Sequence, residues 1–155
     1  MASALDAPPE AVWRHAVSPE GVNHELGPWL RMTFPADVRD LAEGWRPEAP
    51  ARRLGRCWLL LGGVLPVEYD DLVFAELEPG RRFLERSVLL SQRRWEHERC
   101  VGPAPEGTRL VDRVGFAPRL PLLGPVHAWV FRAVFRWRHH RLRRRFGGRP
   151  AHPGP

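Results

Sequence analysis

Alternation of hydrophobic and polar residues predicts six β-strands in the middle of the chain. Runs with a two-residue period cover residues 29–34, 55–62, 69–77, 82–89, 94–101 and 108–117, and turn-forming segments such as Glu78-Pro79-Gly80 separate them. Because strands that follow one another along a chain tend to lie side by side, this order predicts an antiparallel meander.

Helical patterns flank the strands on both sides. Pro8-Pro9-Glu10 and Ser18-Pro19-Glu20 each place proline in the first turn of a helix, so two short helices are predicted before the strands. After Gly124-Pro125 a helical pattern continues to about residue 146, a length of about 33 Å at 1.5 Å per residue. Its apolar stripe predicts that the first half of this helix is buried against the sheet. The stripe consists of Ala128, Phe131, Phe135, Leu142 and Phe146, widened by Val126, Trp129, Val130, Ala133, Val134 and Trp137.

The chain length fits one domain. Its 155 residues suffice for a single core that buries about 68 to 70% of the unfolded surface, and we assign residues 1–146 to it. Residues 147–155 are rich in Gly and Pro, which predicts a disordered tail. The polar segment 36–53 fits either a loop or a helical insertion over a cavity mouth.

Composition narrows the classes of partner. The formal net charge is +6, yet all 24 basic residues are arginine and isoleucine is absent, which is typical of a GC-rich genome and weakens the charge as a sign of nucleic-acid binding. Cys57 and Cys100 match no metal or redox spacing, and the seven histidines form no ligand motif, so we expect no metal and no cofactor. No apolar run approaches the ~18 residues of a membrane span and no leader pattern opens the chain, so we expect a soluble cytoplasmic protein.

The most informative polar residues lie on the last two predicted strands. Alternation puts Trp95, His97 and Arg99 on one face of one strand, and Asp112 and Phe116 on one face of the next. Turn formers fill residues 101–107, so the two strands are predicted to form an antiparallel hairpin with a long loop. If both faces point inward, His97 lies directly opposite Asp112 or one diagonal step away, about 7 to 8 Å between backbones. This pair is either a proton-transfer dyad or a structural polar pair in an apolar wall.

The order of two short helices, a strand meander and a long C-terminal helix resembles the SRPBCC superfamily. This START-related group includes polyketide cyclase/dehydrase-like proteins and has a helix-grip fold. The resemblance covers residues 7–146 and implies an α+β fold, in which a curved antiparallel β-sheet of six or seven strands wraps around the long helix and leaves a cavity for a hydrophobic ligand. Its carriers are Ala7-Pro8-Pro9-Glu10-Ala11-Val12-Trp13, Ser18-Pro19-Glu20-Gly21, Trp29-Leu30-Arg31-Met32, Trp95-Glu96-His97 and Gly107-Thr108-Arg109-Leu110-Val111-Asp112.

Aromatic residues are the candidates for the wall of such a cavity. The chain has seven Trp, seven Phe and one Tyr, and ligand cavities are mostly apolar with a few placed polar groups. Core packing is the alternative for each of them. The predicted ligand-binding set is Trp29, Trp58, Phe74, Phe83, Trp95, His97, Asp112, Phe116 and Trp129.

The favoured function is binding of a small hydrophobic ligand, such as a lipid or a polyketide, for transport, storage or sensing. In this hypothesis His97 and Asp112 fix one polar group of the ligand. The first alternative is a cyclase or dehydratase in which His97 acts as the catalytic base and Asp112 orients it. The second is binding of nucleic acid or an anionic membrane through the basic end of the long helix. The basic residues of that end are Arg136, Arg138, Arg141, Arg143, Arg144 and Arg145.

Overall fold

A computed structural model of the protein describes residues 1–46 and 51–152. Helices and strands follow in the predicted order, with a short strand at each end of the chain. The elements are β1 (Ala2–Leu5), α1 (Pro9–Ala16), α2 (Pro19–Leu26), β2 (Leu30–Met32), β3 (Arg52–Leu61), β4 (Leu65–Glu78), β5 (Arg82–Leu89), β6 (Gln92–Ala104), β7 (Gly107–Pro118), a 3₁₀ turn (Pro121–Leu123), α3 (Gly124–Phe146) and β8 (Arg149–Ala151).

The described strands form one antiparallel sheet in the order β2-β3-β4-β5-β6-β7-β1-β8. All six predicted central strands are present, and the two terminal strands bring the count to eight instead of six or seven. With α3 packed against this sheet, the chain has the predicted α+β helix-grip fold.

The C-terminal segment is a correction to the sequence analysis. Residues 149–151 are not disordered but pair with β1, with Ala151 opposite Ala2. Because β1 has a free edge of backbone N–H and C=O groups, β8 satisfies hydrogen bonds that would otherwise be left to water. Gly147 and Gly148, at φ 73° and 113°, allow the sharp change of direction between helix and strand. Residues 153–155 of the predicted tail lie outside the described residues.

The β6–β7 hairpin has the predicted antiparallel arrangement but a shorter loop. Pairing continues to Ala104 opposite Gly107, so only residues 105 and 106 form the turn. The register places Arg99 directly opposite Asp112. His97 therefore stands one diagonal step from Asp112, the second of the two predicted positions.

The long helix is buried in a different half from the one predicted. Its buried residues are Phe135, Arg138, His139 and Leu142, all from the middle onward. The first half instead exposes large apolar side chains, including Trp129. The reason is that α2 packs on the second half, where Trp137 Nε1 donates to the Gly27 carbonyl at 2.8 Å.

The start of α2 follows from its sequence. Ser18 precedes the helix, and its hydroxyl oxygen accepts a hydrogen bond from the Gly21 N–H at 3.0 Å. This cap satisfies one of the free N–H groups of the first turn.

The segment 36–53 is partly described. Arg52 and Arg53 begin β3, and residues 47–50 lie outside the described residues. Leu41 lies in a turn, is buried, and its N–H donates to the Val17 carbonyl at 2.7 Å. This part of the segment therefore lies against the C-terminal end of α1.

Candidate functional site

A cavity of about 390 Å³ lies between the sheet and α3. Its volume falls within the range of about 300 to 1,000 Å³ that is typical of small-molecule sites. The wall is mostly apolar, with a few polar side chains. The apolar lining is Ala16, Val22, Leu26, Leu30, Met32, Phe34, Leu41, Leu59, Val67, Leu72, Phe74, Phe83, Leu89, Trp95, Val130, Phe131, Val134 and Phe135. The polar lining is Glu68, Asp70, Glu85, Ser91, His97, His127 and Arg138.

Of the predicted ligand-binding set, four residues line this cavity. They are Phe74, Phe83, Trp95 and His97. Asp112 and Phe116 line a separate cavity of about 210 Å³ on the other side of Phe135 and Phe131.

Three predicted wall residues lie outside the cavity in the described part of the chain. Trp29 and Trp129 are 63% and 70% exposed, and Trp58 is 39% exposed. Trp58 faces outward because its neighbours Cys57 and Leu59 on β3 face inward. These assignments fail because aromatic content alone does not say which face of an element is buried.

An ion-pair cluster lies behind the cavity wall and has Arg99 at its centre. Arg99 is fully buried and makes bidentate hydrogen bonds to two carboxylates. Its Nη1 and Nη2 donate to Glu25 of α2 at 2.8 and 2.9 Å, and its Nε and Nη2 donate to Asp112 of β7 at 2.7 and 2.8 Å. Arg138 of α3 adds a hydrogen bond from Nε to Glu25 at 2.8 Å. The cluster thus joins two helices to the sheet.

Charges in this cluster compensate one another. Burial alone would raise the pKa of Glu25, but Arg99 and Arg138 outweigh it and lower the pKa to about 2. Burial opposes the charged form of Asp112 as well, yet Arg99, with hydrogen bonds from His139 and His97, holds its pKa well below the usual value. Both carboxylates are therefore ionised at neutral pH.

His97 joins the ion-pair cluster to the cavity. Its Nε2 donates to Asp112 Oδ1 at 3.0 Å, and its Nδ1 lies 3.5 Å from Glu85 Oε2. Its ring packs edge-on against Phe83 and Phe135, with centroids 5.3 and 5.0 Å away. Each ring nitrogen faces a carboxylate, so His97 is held in one orientation.

A second acidic pair, Asp70 and Glu85, stands on the cavity wall itself. Both residues are only 6% exposed, and each carboxyl group is near enough to shift the pKa of the other. Burial, followed by the charge of Glu85, raises the pKa of Asp70 well above its ordinary value. Burial also acts to raise the pKa of Glu85, but His97 outweighs it and the pKa is lowered. As the pH rises, Glu85 therefore loses its proton before Asp70 does.

Sequence reasoning singled out Asp112, but it missed Glu25 of the ion-pair cluster and both members of the acidic pair, Asp70 and Glu85. Alternation already placed Arg99 on the face of His97, so its inward position was available from the sequence. Asp70 and Glu85 also occupy inward positions of β4 and β5, where a buried carboxyl group is unusual. Glu25 carries no such local sign, because a glutamate on a short helix is normally a surface residue.

The basic end of α3 is partly internal. Arg138 is buried against Glu25, so its predicted place on a membrane-facing surface is wrong. Arg141 donates from Nε to the His24 carbonyl at 3.1 Å, and Arg143 donates from Nη1 to Ser3 Oγ at 2.9 Å. The remaining members, Arg136, Arg144 and Arg145, are exposed. Three of the six predicted surface arginines thus make hydrogen bonds that attach α3 to the rest of the domain.

Two features are absent from the described residues. Within residues 1–46 and 51–152, no group of three or more His, Cys, Asp or Glu side chains is placed to hold a metal ion. None of the helices in the same ranges has the length and apolar character needed to cross a bilayer.

A helix-grip fold with an internal, mainly apolar cavity is the class that these observations define. The chain belongs to the family described as "Domain of unknown function (DUF8410)", whose model matches residues 3–146. No curated protein matches the sequence.

Solved structures from several bacteria are similar to this chain. CV1439 from Chromobacterium violaceum has a TM-score of 0.65 and 16% identity, with 92% of this chain and 94% of that chain covered. DynU16, a protein of the dynemicin biosynthetic locus, has a TM-score of 0.57 and 14% identity, with coverages of 95% and 47%. CalU16 from Micromonospora echinospora has a TM-score of 0.52 and 18% identity, with coverages of 94% and 65%. At these identities the similarity shows the fold alone.

Proposed function

We propose that this protein is a member of the SRPBCC superfamily that binds a small hydrophobic ligand between the sheet and α3. The observation that carries the proposal is the cavity of about 390 Å³ with its largely apolar wall. Protein interiors are close-packed, with few voids larger than a water molecule. A lipid or polyketide-like compound fits such a wall, and transport, storage or sensing needs no further chemistry.

The size of the cavity supports occupancy by a ligand. Side chains that line an unfilled apolar cavity lack the contacts that close-packed core side chains make on all sides. A hydrophobic ligand would restore these contacts, and each buried CH₂ group contributes about 0.8 kcal/mol.

Titration with the neutral fluorophore N-phenyl-1-naphthylamine tests this function. We expect saturable binding of one molecule per chain with little dependence on salt, because the wall is apolar. Leu72→Trp places an indole in the cavity and should abolish binding. The matched control is Val88→Trp on β5, whose side chain is 43% exposed. Equal binding by wild type and Leu72→Trp would refute the proposal.

A cyclase or dehydratase is the second candidate function. The observation that favours it is the 3.0 Å contact between His97 Nε2 and Asp112 Oδ1, with His97 on the cavity wall. In this candidate Asp112 orients His97, and a proton passes between the bound ligand and His97 Nδ1 by way of Glu85, which lies 3.5 Å from that nitrogen on the cavity wall. Incubation of the natural ligand with protein, followed by mass spectrometry, should then show a product that Asp112→Asn fails to form while still binding the ligand. An unchanged ligand after incubation with wild type argues for binding alone.

A further inference from the structure

The cavity opens to solvent between β4 and α3. Val67 of β4 and Val130 of α3 both line it, and in the described part of the chain they are its only exposed lining residues. The opening therefore lies next to these two side chains.

Exposed apolar residues are concentrated around this opening. Fourteen large hydrophobic residues are exposed in the described chain, and all except Trp58 and Val88 belong to four segments. The segments, which we call the mouth surface, are residues 29–31, 61–67, 90–94 and 119–132. An apolar patch of this extent usually marks an interaction site, whereas apolar residues scattered singly over a surface do not.

Hydrogen bonds join the four segments to one another. The Gly62 N–H donates to the Trp29 carbonyl at 2.8 Å, and the Arg119 N–H donates to the Ser91 carbonyl at 3.0 Å. The Ser91 N–H in turn donates at 3.2 Å to Glu68, the residue that follows the second segment. The exposed apolar side chains of these segments therefore form one continuous surface at the opening.

Every Arg, Asp or Glu side chain of the mouth surface is positive. The set is Arg31, Arg93, Arg94, Arg119 and Arg132, all of them exposed. The four segments contain no Asp or Glu, and neither do residues 113–155 as a whole. Two copies of this surface placed face to face would repel each other, whereas an anionic partner complements it.

A bilayer with anionic lipids fits both the apolar and the charged side chains of the mouth surface. Trp29 and Trp129 are exposed, and tryptophan is enriched where membranes meet water. Leu122, which is 93% exposed, and Val64 in the turn between β3 and β4 suit the boundary between head groups and acyl chains. Each arginine near an anionic leaflet adds to the attraction.

We propose that the mouth surface docks on a membrane that contains anionic lipids, and that an apolar ligand moves between this membrane and the cavity. Docking turns the opening toward the acyl chains, so the ligand is not exposed to water on its way, which would be unfavourable for each CH₂ group. Docking depends only on the exposed side chains, whereas movement of the ligand rests on the proposed function.

Flotation with lipid vesicles tests the docking. Wild-type protein is mixed with vesicles of phosphatidylcholine alone, or of phosphatidylcholine and phosphatidylglycerol in equal parts. We expect binding to the mixed vesicles to be at least about tenfold tighter, because the arginines attract the anionic head groups. High salt should weaken this binding, since ions screen exposed charges.

A pair of apolar substitutions locates the contact. The apolar mouth variant, Leu122→Gln/Trp129→Gln, should weaken binding to the mixed vesicles at least about tenfold. Its matched control is Trp58→Gln/Val88→Gln, which also replaces one tryptophan and one aliphatic residue that are exposed, but outside the mouth surface. The control should bind as wild type does, and urea unfolding should show that both proteins are folded.

A pair of charge substitutions separates the mouth surface from the basic end of α3. The charged mouth variant, Arg31→Gln/Arg132→Gln, should weaken binding to the mixed vesicles about tenfold or more. Its control, Arg144→Gln/Arg145→Gln, removes two arginines that are exposed near the end of α3 and should have a much smaller effect.

Several results would overturn the docking. They are no binding of wild type to the mixed vesicles, equal binding by wild type and the apolar mouth variant, or a control variant that loses as much binding as its mouth variant. In the last case the contact with the membrane lies elsewhere on the protein.

The fluorophore N-phenyl-1-naphthylamine separates the docking from the proposed function. Saturable binding without vesicles, combined with failed flotation, upholds the cavity function and overturns the docking. Flotation without fluorophore binding upholds the docking and contradicts the proposed function. Where both are found, transfer of bound fluorophore should become faster with vesicle concentration and with phosphatidylglycerol content; a rate independent of both would mean release into water and would overturn transfer at the docked surface.

Discussion

Removing the charge of Glu25 should destabilise the protein far more than removing a surface carboxylate. Glu25 is fully buried and accepts hydrogen bonds from Arg99 and Arg138 at 2.8 to 2.9 Å. Glu25→Gln keeps the shape of the side chain but removes the negative charge that Arg99 and Arg138 share. Breaking a buried ion pair in this way costs about 3 to 5 kcal/mol. For a domain of this size, that lowers Tm by roughly 6 to 20 °C.

The stabilisation that Glu25 provides should decrease as the pH falls. The pKa of Glu25 is about 2 in the folded protein against an ordinary value of 4.5, a difference worth about 3 kcal/mol. Because the folded pKa is the lower one, this stabilisation is fully present above about pH 5 and is lost as the pH falls toward 2. At pH 3 about 2 kcal/mol of this stabilisation is lost. The difference in unfolding free energy between wild type and Glu25→Gln should therefore be smaller at pH 3 than at pH 7 by about the same amount.

Urea unfolding followed by tryptophan fluorescence, at pH 7 and pH 3, measures both quantities. The control is Asp71→Asn, which breaks an exposed pair with Arg53 and should cost about 0 to 1 kcal/mol. The reasoning about the buried cluster would be refuted if wild type and Glu25→Gln differed by less than 1 kcal/mol in unfolding free energy at pH 7, or if the difference did not change with pH.

Three further predictions concern other parts of the structure. The Cys57 thiol, whose pKa burial raises to about 12, should resist alkylation by iodoacetamide at pH 8 until the protein unfolds; mass spectrometry showing rapid labelling of the native protein would contradict this. Gly107→Ala places a Cβ against the backbone of β1, so in urea unfolding it should lose clearly more stability than Gly80→Ala, where φ is also positive but no atom lies within 4 Å; similar losses would argue against the close approach. Ser18→Ala removes the cap of α2 and should cost about 1 kcal/mol in the same assay, whereas an unchanged midpoint would mean that the cap adds no stability.

Local patterns in the sequence account for most of the fold. Alternation and turn formers predict the six central strands, as at Glu78-Pro79-Gly80, where Gly80 has φ 80° and closes the turn between β4 and β5. Strand parity also brings His97 close to Asp112 without any structural information. Both predictions depend on residues that are near in sequence or joined by one hairpin, and that is why they succeed.

The remaining features depend on contacts that are distant in sequence. Glu25 meets Arg99 and Arg138 only because α2 and α3 pack on the same region of the sheet, and nothing in the neighbourhood of Glu25 along the chain indicates this. The exposure of Trp129 has the same origin, since an apolar stripe does not say which half of a long helix other elements cover. The pairing of β8 with β1 likewise joins the two ends of the chain.

The most direct test of the central claim is to identify what the cavity holds. Wild-type protein and Leu72→Trp, purified in parallel from the native cells, should be denatured and their released small molecules analysed by mass spectrometry. We expect a near-stoichiometric compound with an apolar body from wild type, and its absence from Leu72→Trp. Identical extracts from the two proteins, with no compound enriched in wild type, would contradict the account.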